Sequence, residues 1–242
     1  MKIFAIGDLH LSFKNPVTSD RWDDVEEYKP MSIFGDKWLE HYRKIYSNWR
    51  STVGKEDIVL IPGDISWATT LEELKPDIDF INKLPGEKVL IRGNHDYWWQ
   101  SINKLRSVFP DNFYLIQNDS KRVDEIVIAG SRGWTPPNDY EYTDHDQKIF
   151  DRELIRLELS LKTIKTAKSI IVMLHYMPVN ENHQYNQLID LLKKHSVDIC
   201  LYGHLHGQRA HKNKLEGFKW GIEFHLVSSD FIDFKPDLII DK

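Results

Sequence analysis

Short apolar runs alternate along the chain with longer stretches that have helical spacing. The runs are rich in β-branched residues and end in polar or glycine-rich turns, as buried central strands do. The predicted strands are Lys2–Ile6, Asp57–Ile61, Lys88–Ile91, Ile126–Ala129, Ser169–Leu174, Val197–Tyr202 and Phe224–Ser228. The predicted helices are Lys37–Val53, Leu71–Leu84, Trp98–Phe109, Asp146–Ala167 and Tyr185–His195, and Pro76 is expected to break or start the second of these. This alternation predicts an α/β layered fold.

The segment from about residue 11 to residue 56 is an insertion between the first two predicted strands. Its first half, Ser12–Asp36, is polar and has no clear period. Two interpretations stay open: the insertion walls a substrate pocket, or it is a surface loop that leads into the helix Lys37–Val53. Since no repeat, low-complexity tract or linker divides the 242 residues, we expect a single domain over residues 1–242.

Candidate metal ligands follow the predicted strands and do not precede them. They are Asp8, His10, Asp64, Asn94, His175, His204 and His206. In α/β sheets, binding sites form beyond the carboxyl ends of the strands, so residues distant in sequence can meet there. Carboxylate, amide and imidazole ligands suit Mn, Fe or Zn better than Ca. The pattern therefore predicts a site for two divalent metal ions, a centre suited to hydrolysis at phosphorus.

The order of these motifs resembles the calcineurin-like metallophosphoesterase superfamily. The matching text is GDLH, PGD, GNHD, LHYMP and GHLHG, and it spans most of the chain. The resemblance implies a β-sandwich flanked by helices. It also implies that one cation is held by Asp8, His10 and His206, that the other is held by Asn94, His175 and His204, and that Asp64 bridges both. The implied activity is hydrolysis of a small phosphomonoester or phosphodiester, nucleotide-like substrates included, by a hydroxide that the two metal ions activate.

Three further residues that follow predicted strands are candidates for catalysis or phosphate binding. His95 could protonate the leaving oxygen, because a histidine pKa near 6.5 permits proton donation at neutral pH; alternatively it only orients a ligand. Arg92 and Arg132 could clamp phosphate oxygens in bidentate fashion, or could form ion pairs with nearby carboxylates.

Aromatic residues also cluster next to the motifs. They could stack on a substrate group, or they could pack the loops onto the sheet. The residues in question are Trp67, Tyr97, Trp98, Trp99, Trp134, Tyr140, Tyr142 and Tyr176.

Composition narrows the class of protein. A formal net charge of −5 gives no sign of a broad nucleic-acid surface. Cys200 is the single cysteine, so no intrachain disulfide can form. The apolar N-terminal stretch is too short for a signal-peptide core, and no run reaches the length of a membrane span. We therefore expect a cytoplasmic protein; the oligomeric state is left open.

Two alternatives to a small-molecule phosphohydrolase are kept. A Ser/Thr protein phosphatase of the resembled superfamily usually carries an Asp–Arg pair after the second strand, whereas GDISWA stands here, and GDLHLS replaces its usual GDxHG. A non-catalytic interaction scaffold on the same fold usually lacks metal ligands or the GNH histidine. Here both are present, which favours an enzyme.

Overall fold

The structure, a computed structural model, describes residues 1–138 and 141–241 as two β-sheets flanked by helices. Tyr140, one of the aromatic candidates, lies outside the described residues. The strands are β1 (Lys2–Ala5), β2 (Ile58–Ile61), β3 (Glu87–Leu90), β4 (Phe113–Leu115), β5 (Ser120–Val123), β6 (Ile126–Ser131), β7 (Ser169–Leu174), β8 (Ile199–Tyr202), β9 (Gly217–Lys219), β10 (Ile222–Leu226) and β11 (Asp237–Asp241). One sheet has the order β11-β1-β2-β3-β4 and the other β5-β6-β7-β8-β10-β9.

The two sheets pack face to face through one apolar layer. Ile3, Leu60 and Val89 of the first sheet share this layer with Ile128 and Met173 of the second, and all five are fully buried. The helices are α1 (His41–Thr52), α2 (Leu71–Asn82), α3 (Ile102–Val108), α4 (Asp144–Lys162), α5 (Gln187–Lys194) and α6 (Gly207–Lys212). Helices α1, α2 and α3 cover the outer face of the first sheet, and α4 and α5 cover that of the second. The predicted layered β-sandwich flanked by helices is confirmed.

The strands absent from the sequence-based prediction are the edge strands. The prediction contained β1, β2, β3, β6, β7, β8 and β10, whereas β4, β5, β9 and β11 each close one side of a sheet. Edge strands are short and face solvent along one side, so they need no continuous apolar run. The sequences SKRV in β5 and DLIID in β11 show this pattern, and the two strands are at least partly exposed along most of their length.

Pro76 neither breaks nor starts a helix. Helix α2 runs through it from Leu71, after Thr70, whose side chain accepts a hydrogen bond from the backbone N–H of Glu73. Proline inside a helix removes one backbone hydrogen bond. The burial of Leu74, Ile78, Phe80 and Ile81 against the sheet maintains the helix despite that loss.

The insertion folds onto the end of the sandwich where the predicted ligands lie. Its polar half turns back on itself, since Tyr28 N donates to Ser12 O at 2.8 Å and Lys14 N donates to Glu26 O at 2.9 Å. Two short 3-10 helices, Met31–Phe34 and Asp36–Trp38, then lead into α1. This arrangement brings apolar side chains of the insertion to the mouth of the candidate site.

Candidate metal centre

The loops that follow five parallel strands converge at one end of the sandwich. Strands β1, β2 and β3 run parallel in the first sheet, as do β7 and β8 in the second. Gly7 N donates to Val227 O at 2.7 Å, so the loop after β1 is joined to the second sheet. The carboxyl ends of both sheets therefore meet, and all seven predicted ligands lie in the loops there.

One group of potential ligands consists of Asp8, His10 and His206. One ligand atom of each residue lies within 4.8 Å of the others. His206 Nε2 is 3.2 Å from His10 Nε2 and 3.5 Å from Asp8 Oδ1. Residues nearly 200 positions apart thus present their polar atoms to a common point.

A second group consists of Asp64, His175 and His204, again with ligand atoms within 4.8 Å of one another. Asn94 joins this group, because its Oδ1 lies 2.6 Å from His175 Nε2. The amide therefore stands beside the imidazole with which it was grouped in the sequence analysis.

Asp64 lies between the two groups. Its Oδ2 atom is 3.8 Å from His10 Nε2 and 3.4 Å from His175 Nε2. Its Oδ1 atom accepts a hydrogen bond from the backbone N–H of His95 at 2.8 Å, which fixes the carboxylate. A carboxylate in this position can bridge two cations.

Hydrogen bonds at the outer nitrogens orient two of the imidazoles. His175 Nδ1 donates to Pro62 O at 3.0 Å, and His206 Nδ1 is 2.8 Å from Asp230 Oδ1. Each ring therefore turns Nε2 towards the cluster, the arrangement found around metal-ligating histidines. Sequence reasoning missed Asp230, because it lies in a turn after β10 and shares no motif with the ligands.

The charges of the cluster fit a pair of divalent cations. Burial would lower the pKa of His175, but the carboxylates of Asp64 and Asp8 outweigh it and raise that pKa to about 9. Burial would also lower the pKa of His206, but the carboxylates of Asp8 and Asp230 outweigh it and raise that pKa to about 10. In the protein alone, protonated imidazoles thus neutralise the buried carboxylates. Metal ions would replace these protons, because neutral imidazole and ionised carboxylate are the ligating forms.

Four of the predicted ligands have left-handed backbone conformations. The φ angles are 57° at Asp8, 47° at His10, 52° at Asp64 and 70° at His204. Such conformations cost roughly 1–3 kcal/mol each for residues other than glycine and cluster at functional sites. The loops hold these side chains inward despite this strain.

Glycines of the motifs allow two carboxylates to sit against the backbone. A Cβ atom at Gly93 would overlap Asp64, and one at Gly203 would overlap Asp8. His204 N also donates to Asp8, at 3.1 Å from Oδ1 and 3.0 Å from Oδ2. The glycines of GNHD and GHLH are therefore needed for close packing.

Asp96 joins two of the ligand loops. It is fully buried and accepts hydrogen bonds from Asp64 N (3.0 Å), Ile65 N (2.9 Å), Ser66 N (3.2 Å), Gly93 N (2.7 Å) and Trp98 Nε1 (3.2 Å). Burial and the neighbouring Asp64 raise its pKa to about 7, and the N–H donors limit that rise. Asp96 therefore positions the two loops, and we assign it no role in proton transfer.

A pocket of about 310 Å³ opens onto the cluster. His95 lines it with part of its side chain exposed, and its ring lies 4.2 Å from that of Trp67 between centroids. The insertion contributes Met31, Phe34 and Trp38. The insertion therefore lines this pocket and, through its two 3-10 helices, also leads into α1.

Four further candidates do not line this pocket, whereas the Tyr176 ring packs against that of His204, with 4.2 Å between centroids. Arg92 and Arg132 line a different cavity, at the junction of the two sheets. Trp98 is buried in the core under the first sheet, where its indole donates to Asp96. Trp134 packs against the second core cluster, and its Nε1 donates to Asp146 at 3.0 Å.

Comparison with known proteins places the chain in a family. A family model for calcineurin-like phosphoesterases matches residues 1–208, so the chain belongs to that family. The gene 66 protein of Mycobacterium phage L5 is 37% identical over 91 residues, which cover 37% of this chain and 37% of that protein. A probable cyclic nucleotide phosphodiesterase from Coxiella burnetii is 23% identical over 225 residues, 85% of this chain and 76% of the relative.

A solved structure supports the fold. The crystal structure of a phosphopantetheinyl hydrolase from Mycobacterium tuberculosis superposes with a TM-score of 0.54 over 100% of this chain and 96% of that one, at 11% identity. Family membership implies a divalent metal centre, and the two ligand groups agree with it. Within residues 1–138 and 141–241, no helix combines the length and apolarity needed to cross a membrane.

Proposed function

We propose that this protein is a metal-dependent phosphohydrolase that cleaves a small phosphomonoester or phosphodiester. The observation that carries the proposal is the position of Asp64 between two groups of ligands, at the floor of a pocket that also contains His95. Asp8, His10 and His206 would hold one cation, and Asn94, His175 and His204 the other. When bound, the two cations would lower the pKa of the attacking water and neutralise charge on the phosphoryl oxygens.

His95 is assigned to the leaving group. Its backbone N–H is anchored on Asp64, and its Nδ1 lies 3.3 Å from the hydroxyl of Tyr97. As the water oxygen bonds to phosphorus and the ester bond breaks, His95 gives its proton to the departing oxygen. The proton lost by the water returns to His95 through solvent before the next turnover.

The pocket wall supports a substrate with an apolar or aromatic group. Met31, Phe34, Trp38 and Trp67 surround the mouth of the pocket, and Lys29 Nζ lies 3.3 Å from the centroid of the Trp67 ring. Because Lys29 covers a face of Trp67, the exposed ring of Phe34 is the aromatic face available to a planar group such as an aryl ester or a nucleobase. The probable cyclic nucleotide phosphodiesterase among the relatives supports a nucleotide-like diester among these substrates.

The test is hydrolysis of p-nitrophenyl phosphate and bis(p-nitrophenyl) phosphate by the Mn²⁺-loaded protein. We expect turnover that a chelator abolishes and Mn²⁺ restores, and a diester rate above the monoester rate would assign a diesterase. Turnover of phosphorylated peptides alone would favour the protein phosphatase. Metal bound at both sites with no turnover of any of these esters would favour the interaction scaffold.

A further inference from the structure

A second cavity, here called the arginine pocket, lies at the junction of the two sheets. Its volume is about 190 Å³. Arg92 enters it from the loop after β3, Arg132 from the loop after β6, and Glu153 and Arg156 from helix α4. Its lining includes none of the seven predicted metal ligands, so it is separate from the pocket over the metal cluster.

Positive charge dominates the arginine pocket. Three arginines line it together with a single acidic residue, Glu153, whose side chain is 2% exposed. Glu153 Oε1 lies 2.6 Å from Arg156 Nη1 and 3.6 Å from Arg132 Nη2. Arg92 has no ion-pair partner among the described residues. The excess of guanidinium groups is typical of sites that bind oxyanions.

Polar atoms of these side chains are buried without partners. Within the described part of the chain, the Nε atoms of Arg92 and Arg132 and the Oε2 atom of Glu153 make no hydrogen bond. A buried polar atom that stays unpaired is costly, so each of these atoms favours a ligand that completes it. The two Nε–H groups require an acceptor, and the Glu153 oxygen requires a donor.

A protonated oxyanion meets both requirements. Hydrogen phosphate offers oxygens to the guanidinium groups and one O–H to the Glu153 carboxylate. Sulfate carries no proton at neutral pH, so the same carboxylate would repel it. We propose that the arginine pocket binds a protonated oxyanion of the phosphate type, at a site separate from the metal centre.

The arginine pocket is joined to the predicted metal ligands through the backbone. Arg92 precedes Asn94 by two residues, and Arg132 O accepts a hydrogen bond from His175 N at 2.9 Å. The ligand is therefore either free phosphate or a second phosphoryl group of a substrate. Both sources present the same chemistry to the arginines, and the experiment distinguishes them.

The primary test is calorimetric titration of the metal-free full-length protein with inorganic phosphate and with sulfate at neutral pH and low salt. We expect phosphate to bind at least about tenfold more tightly than sulfate, since each charge-assisted hydrogen bond can change affinity by this factor or more. Arg156→Gln should weaken phosphate binding about tenfold, and Glu153→Gln should tighten sulfate binding. The matched control is Arg152→Gln, an exposed arginine on the same helix, which should bind as the wild type does.

Arg92→Gln provides a second variant, because it breaks no ion pair among the described residues and so tests the site if Arg156→Gln fails to fold. Equal affinity for phosphate and sulfate, no phosphate binding, or phosphate binding unchanged in both arginine variants would overturn the proposal. A second experiment, in the Mn²⁺-loaded protein, identifies the source of the phosphate group. If the pocket holds part of a substrate, Arg156→Gln should raise the KM for a substrate with two phosphoryl groups more than the KM for p-nitrophenyl phosphate. Equal factors for both substrates would assign the site to free phosphate.

Discussion

Replacing Asp96 with asparagine tests whether one buried carboxylate holds the ligand loops together. The side chains have nearly the same shape, but the amide has one acceptor oxygen where the carboxylate has two. Asp96 Oδ2 accepts from Asp64 N and Gly93 N, and its Oδ1 accepts from three further N–H groups. Whichever way the amide turns, its NH₂ group faces at least two buried N–H donors.

The expected loss follows from those two donors. A buried donor left unpaired costs about 1–3 kcal/mol, so we expect Asp96→Asn to lower the free energy of unfolding by about 2–6 kcal/mol. This is a large share of the roughly 5–15 kcal/mol that stabilises a typical domain. We also expect lower metal content, because the loops that carry Asp64 and Asn94 lose their common anchor.

The measurement is urea unfolding followed by circular dichroism at a pH above the Asp96 pKa of about 7, where the carboxylate is ionised, together with metal analysis of the purified variants. Asp111→Asn, which changes an exposed aspartate in the same way, is the control and should unfold as the wild type does. An Asp96→Asn protein whose unfolding free energy lies within about 0.5 kcal/mol of the wild-type value, the range of an ordinary surface substitution, would refute the role of the carboxylate as an anchor.

Three further predictions concern the metal centre. Asp64→Asn should reduce metal content at both sites and lower turnover by orders of magnitude, and full metal occupancy by mass spectrometry would contradict the bridging position. His95→Ala should retain the metals and slow hydrolysis by about 10²–10⁴-fold, with the largest effect on esters that have poor leaving groups. The rates for a series of aryl phosphates measure this effect, and the exposed His145→Ala is the control. An equal loss across the series would exclude proton donation. Because the pKa values of His175 and His206 are raised to about 9 and 10, both rings are protonated at pH 7 and metal must displace these protons. Metal affinity should therefore rise between pH 6 and about 9, and metal binding should release protons. Calorimetric titrations with metal in buffers of different ionisation enthalpy measure the proton release. Titrations that detect none would contradict this prediction.

The sequence by itself determined the central strands and the residues at their ends. Central strands are covered on both faces, so their burial requires continuous apolar runs such as the IVLI of β2, and such runs are visible without coordinates. The predicted ligands come soon after those runs, as Asp64 does after β2 and His175 after β7. Their order along the chain was therefore enough to predict where they would meet.

Only the tertiary structure decided which polar neighbours take part in the site. Asp230 supports His206 through a hydrogen bond between residues 24 positions apart, and no local pattern encodes this contact. Arg92 stands two residues from the predicted ligand Asn94, yet it lines a different cavity. The orientation of its side chain depends on how the two sheets and helix α4 pack. Edge strands such as β5 also depend on the tertiary structure. The residues of β5 do not predict a strand, and its pairing with β6 holds it in the sheet. Local patterns record burial, whereas contacts between distant segments arise only when the sheets have packed.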